Sequence, residues 1–234
     1  SWTKGSEIVL ESNADYVNRG RPVDNPGAPK ADRLVVRTMP EGQTRVAGLR
    51  TGELNVIVPP IQEVKALQED DTVEVHVAKG TGQNMFLQFA VNRPPFNDAR
   101  ARRAVSHAIN KDMAIQVVYG DLVERQYCPV SRGVFGNDPE FCKQYDQDYD
   151  PEKAKELLAE MGYDGTPVRL LPLPYGETWQ RWAEAIKQNL GEVGVEVVID
   201  SADVAGWNEN RIPNRHDWSS TDRRRAGHCM DQEP

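Results

Sequence analysis

The side chains best suited to chemistry in this 234-residue chain are few and scattered. Ser106 and His107 supply a hydroxyl and an imidazole, the two parts of a nucleophile–base pair. They are neighbours on a helix-like stretch, and helical neighbours point about 100° apart, so the two do not converge on one substrate. No Gly-x-Ser-x-Gly turn occurs. Asp70 and Asp71 are paired carboxylates, but they sit in a polar turn where water solvates both. The four histidines are scattered, and no ligand pair has the spacing of a zinc finger. No catalytic residue, metal ligand or cofactor is assigned, and an enzyme is not expected.

Cys128 and Cys142 flank a loop rich in Gly, Pro and Asp. They read either as two unrelated thiols or as a disulfide pinning that loop, which requires an oxidising compartment. Closing a loop of about 15 residues is worth about 3 kcal/mol in the chain-entropy model.

Arg100, Arg102 and Arg103 stand in the stretch RPPFNDARARRAVSHAINKD, from Arg93 to Asp112. The chain carries a formal charge of −8, and phosphate binding needs clustered Lys and Arg. A DNA-reading helix comes with a turn-helix partner of similar basicity, yet the next helix, KDMAIQVVYG, holds only Lys111. Ala101, Ala104, Val105, Ala108 and Ile109 form one apolar face, so the arginines read as the solvent side of an amphipathic helix. Nucleic acid is not an expected partner, and the later run Arg223-Arg224-Arg225 does not change that.

These residues need elements to hold them. Pro94 and Pro95 bar helix, so the helix starts near Asn97 or Asp98, both good N-caps. Asn110 caps a second helix that Gly120 ends. Asp150-Pro151-Glu152 is a strong helix start, with Ala154, Leu157, Leu158 and Met161 inward and Gly162 as terminator. Glu177 to Val193 is the longest helix, with Trp182, Ile186, Leu190 and Val193 on one side. Strands are expected at EIVLE (7–11), RLVVR (33–37), NVIVPP (55–60), Thr72 to Val77, Asn84 to Val91, VRLLPLPY (168–175) and Val195 to Ile199. Short helices are expected at Thr44 to Arg50, stopped by Gly52, and around Ile61, Val64 and Leu67. The alternation makes the class α/β with a mixed sheet. No run approaches 18 apolar residues, the length that marks a membrane span. The abrupt opening at SWTKGSEIVLESNADY, without Met or leader, reads as a mature or internal fragment. From about Asn208 apolar residues lose any period, and 208–234 reads as an aberrant polar tail, too poor in apolar surface to order itself.

The ordered motifs GSEIVLESNADY, RVAGLRTGELNVI, RPPFNDARARRAVSHAINKDMAIQVVYG, YDPEKAKELLAEMGY and AEAIKQNLGEVGVEVVI resemble the peptide- and nickel-type solute-binding proteins of bacterial ABC importers. The likeness covers about residues 1–207. It implies a periplasmic-binding-protein-like lobe, incomplete here: a mixed sheet flanked by helices, the second lobe of a two-lobed clamp whose first lobe precedes Ser1 and returns after the second. It implies an exported chain, periplasmic or extracellular, which fits a Cys128–Cys142 disulfide. It implies a monomer with a membrane permease complex as partner and a peptide or related small solute as ligand.

Two departures stand out. The step before the Pro-Pro-Phe turn is Phe89-Ala90, with Asn92 two positions later, where the family commonly has Phe-Asn. The segment after Trp207, which in the family holds an acidic residue for a peptide's amino end, is replaced by NRHDWSSTDRRRAGHCMDQEP, as a reading-frame change or recombined gene would leave it. In this lobe Gln83, Asn84, Met85, Phe86 and Trp207 are the candidates for the ligand cleft. Each also has a plainer role: turn residues for Gln83 and Asn84, core packing for Phe86, a capping contact on the sheet for Trp207. A chain inert by itself, offering one wall of a site, is the competing expectation.

Overall fold

The computed structural model describes residues 1–16, 25, 27–78, 84–211 and 218–220, with backbone alone at 210, 211 and 218–220. It divides into two compact units, Ser1–Val75 and His76–Pro234. The division falls inside the stretch 1–207 that the sequence assigns to one lobe.

In the first unit β1 (Trp2–Thr3), β2 (Glu7–Glu11) and β3 (Arg33–Arg37) form an antiparallel meander in which Ile8 faces Val36 and Leu10 faces Leu34. One face carries the cross-strand pairs Glu7–Arg37 and Glu11–Arg33 around Val9, an arrangement opposite charges favour. Helices α1 (Gly42–Arg50) and α2 (Ile61–Gln68) follow. A Cβ on Gly48 would lie 2.9 Å from Leu54 Cδ1, so a residue without a side chain lets the chain fold back there. Gly52, at φ 77°, ends α1 in the left-handed conformation expected of it.

Two expected strands do not form. NVIVPP makes no ladder among the described residues, with Val56 87% and Val58 80% exposed. Thr72 to Val77 likewise pairs with nothing described. Apolar alternation marks a surface that fits a sheet, but a strand exists only where a neighbour supplies the second half of its ladder.

The second unit holds β4 (Leu87–Phe89), α3 (Ala99–Ala108), α4 (Lys111–Tyr119), α5 (Pro139–Lys143), α6 (Pro151–Glu160), β5 (Val168–Leu171), α7 (Glu177–Glu192), β6 (Val197–Ile199), α8 (Val204–Arg211) and β7 (Trp218–Ser220). Its sheet runs β4-β7-β5-β6. β5 is parallel to β6 and β7, and β4 is antiparallel to β7, so the sheet is mixed as expected. The caps read from sequence are made: Asp98 accepts from Arg100 N at 2.7 Å, Asn110 from Met113 N at 3.0 Å and Asp150 from Lys153 N at 2.9 Å, each satisfying an orphan donor of a first turn. Phe96, Ala104 and Val105 pack with Leu157 and Leu158 of α6, Ile186 and Leu190 of α7, and Leu170 of β5 as one buried cluster.

Two elements reach past residue 207. α8 runs to Arg211, and β7 inserts between β4 and β5 although no period marks it in the sequence. A central strand flanked on both sides gets its ladder from its neighbours, so three residues of a polar stretch suffice.

Candidate functional site

The carboxyl ends of β5, β6 and β7 share one edge of the sheet. Because Leu87 pairs with Ser220, β4 starts at that same edge, and residues 84–86 lead into it there. Ligands of open α/β sheets bind outside the carboxyl ends of the strands.

A cavity of about 480 Å³ lies in this unit, within the ordinary range of small-molecule sites. Met85, Phe86, Phe89, Ile115, Tyr119 and Trp182 supply apolar wall. Lys111, Arg125, Arg132, Asp121, Glu124 and Asp146 supply its charges.

The loop after α4 forms the far wall, and three ties hold it. Cys128 and Cys142 are joined by a disulfide, with Cα atoms 5.2 Å apart. The Asn84 side-chain amide donates to the Cys128 and Pro129 carbonyls at 3.2 and 3.3 Å, fixing that wall to the approach to β4. Asp146 lies between Lys111 Nζ, at 3.4 Å, and the Arg125 guanidinium, which also meets Asp112 at 2.7 Å. Lys111 donates further to the Ser106 and Gln147 carbonyls at 3.2 and 2.5 Å. Burial still outweighs Asp146 and holds the Lys111 ammonium below its ordinary pKa.

The Tyr119 hydroxyl faces the Met85 sulfur, and burial pushes its pKa up to about 12. The phenol is therefore neutral throughout the physiological range. In an unfolded chain it ionises near 10. Its contribution to stability is whole below pH 10 and disappears as pH climbs from 10 towards 12. Urea unfolding at stepped alkaline pH should show that loss in the wild type, and a Tyr119→Phe variant should lack this component.

The expected cleft residues fall in three places. Asn84, Met85 and Phe86 line the cavity, Phe86 being 40% exposed and so not core. Trp207 does not line it: 3% exposed, it packs with Leu171, Leu173 and Trp179, the sheet-capping role that was its plainer reading. Gln83 lies outside the described residues, as do Arg223, Arg224 and Arg225. Lys111, Arg125, Asp146 and Asp121 carry no spacing signal that would have announced them, because the fold brings them together from different segments.

The remaining chemistry-bearing residues do local work. His107 Nδ1 is 2.8 Å from the Asp148 carbonyl. Arg100 grips Asp98 at 2.7 Å and donates to the Glu160 carbonyl at 2.8 Å, at the end of α6 where a helix favours a cation. Side-chain and backbone hydrogen bonds from Arg100 hold the Asp98 carboxyl below its usual range. Arg102 donates to the Phe96 carbonyl at 2.6 Å. These guanidinium groups bind their own backbone and its cap. Among the described residues there is no group of three His, Cys, Asp or Glu placed to hold a metal ion, and no helix is long and apolar enough to cross a membrane.

A probable peptide ABC transporter periplasmic-binding protein of Sinorhizobium fredii is 27% identical over 213 residues, covering 86% of this chain and 40% of that protein. The glutathione-binding protein GsiB of Pectobacterium atrosepticum is 32% identical over 206 residues, covering 87% of this chain and 38% of that one. Among solved structures, the periplasmic binding protein DppA of Helicobacter pylori in complex with the peptide STSA superposes with a TM-score of 0.75 at 28% identity, over 94% of this chain and 41% of that one. The chain thus spans about two fifths of the length of these relatives. The family model for bacterial extracellular solute-binding proteins, family 5 Middle, matches residues 1–223, past residue 207 where the motif likeness ends. The chain belongs to the family 5 bacterial extracellular solute-binding proteins.

Proposed function

We propose that this chain is part of the solute-binding component of an ABC importer and captures peptides or related small solutes without transforming them. The observation that carries this is the apolar-walled cavity at the carboxyl edge of the parallel strands, fastened to the strand entry through Asn84. Glutathione and the peptide STSA, the ligands of two of these relatives, are of a size that such a cavity takes. The His76–Pro234 unit acts as one jaw, the remaining wall coming from the polypeptide that longer relatives possess, and the loaded protein meets a membrane permease complex. The Cys128–Cys142 bond is at home in an exported, periplasmic or extracellular protein.

Titration calorimetry of the 234-residue chain with glutathione and with the dipeptide Met-Leu tests this. Dissociation constants tighter than about 1 mM (about −4 kcal/mol), with the peptides recovered intact, support capture. Absence of heat with both peptides favours the inert-fragment reading, which the two-fifths span also motivates. Recovery of cleaved peptide would replace capture by hydrolysis.

A further inference from the structure

We infer that one face of the β1–β3 sheet is a docking surface, covered in the longer protein by an apolar element of the polypeptide outside these 234 residues. The register defines the face. Ile8 stands opposite Trp2 and Val36, and Leu10 opposite Leu34, so these side chains share one side of the sheet. All five are exposed, from 41% at Ile8 to 70% at Trp2. The other side carries the Glu–Arg pairs and buries Val9. The sheet is thus amphipathic, with its apolar side open to water. A contiguous apolar patch of this kind marks an interaction surface.

The occupant has to come from elsewhere. A sheet buries its apolar face against a second layer, yet among the described residues of Ser1–Val75 the buried apolar side chains are only Val9, Val46, Val64 and Leu67. The residues between β2 and β3 outside the description, 17–24 and 26, offer only Val17 and Val23 besides prolines. The stretch 55–60 has the same need, being strand-like in sequence, without a ladder, and open to water at Val56 and Val58. The relatives show where a covering element can come from. This chain matches 40% and 38% of two of them, which leaves about three fifths of each outside the match, ample for a helix with an apolar stripe or a further sheet. A second copy fits less well. The five side chains of the face are few beside the roughly 20–30 residues that each partner of a stable complex contributes. An element of the same polypeptide docks without the loss of translational freedom that a separate partner suffers.

The test compares the 234-residue chain with the full-length product of its gene by hydrogen–deuterium exchange. In the full-length product, amide protection at 7–11 and 33–37 should rise about tenfold or more. The 234-residue chain should sediment as a monomer and bind anilinonaphthalene sulfonate, and the double variant Leu10→Ser, Leu34→Ser should lose part of that fluorescence. Both leucines are half exposed, so the double variant should keep the melting temperature of the 234-residue chain and lower that of the full-length product. Should the full-length variant fail to fold, the wild-type exchange comparison decides alone. A dimeric 234-residue chain that the double substitution dissociates assigns the face to a second copy. A dye signal that the substitution leaves unchanged means that a segment of this chain already covers it. Equal protection in the two proteins, or a gene that encodes no further polypeptide, leaves the face open. Each of these three results overturns the proposal, and none bears on peptide capture by the cavity.

Discussion

Phe96→Ala should lower the unfolding free energy by about 3–5 kcal/mol, the range for truncating a buried aromatic. Phe96 is 2% exposed and among the largest fully buried side chains. Its ring centroid lies 4.9 Å from that of Phe89 at a 46° tilt, a geometry that adds to plain burial. It also joins Ala101, Ala104 and Val105 of α3 in the main core. Phe89 forms part of the cavity wall, so the void left by the missing ring sits directly behind the site. Phe96→Leu should cost less, because more of the volume remains. Urea denaturation with matched m-values measures both. A loss below about 1 kcal/mol for Phe96→Ala would mean that the ring is not buried.

The second large effect belongs to the loop. Replacing both Cys128 and Cys142 by serine should cost about 3 kcal/mol, since the bond closes a loop of sequence separation 14 and restricts the unfolded chain accordingly. Reductant should lower the wild-type melting temperature and leave the double variant unmoved. Ligand affinity should fall too. The Cys128 and Pro129 carbonyls receive Asn84, and Ser131 and Arg132 of the same loop line the cavity. Insensitivity of the wild type to reductant would show that packing alone holds the loop. Substituting Asn84 by alanine separates the two ties: it removes the hydrogen bonds and leaves the covalent link.

The helices of the second unit were legible because their evidence is local. A proline that cannot follow helix, an Asp or Asn that caps it and a Gly that ends it act within a few residues of themselves. Asp98, Asn110, Gly120, Asp150 and Gly162 could all be read in that way. Strands were legible only in part. EIVLE and RLVVR are alternating runs that find each other, while NVIVPP has the same character and stays unpaired. Trp218–Ser220 has no such character and occupies the middle of a sheet. Residues 84–86 were cleft candidates through the likeness to a family, and the structure puts them in the wall of the cavity, where β4 enters the sheet antiparallel to β7.

What the amino-acid order determined by itself was the α/β class, the caps and ends of the helices, the apolar faces they bury and the family. All of these depend on contacts between residues close along the chain or on motifs kept in order. Only the tertiary structure decided that Trp207 is buried while Phe86 meets the cavity, and that Arg125 and Asp146 face each other across 21 positions. Those outcomes depend on which distant segments share a neighbourhood, and an interaction between two charges depends on their separation in space, which sequence distance does not supply.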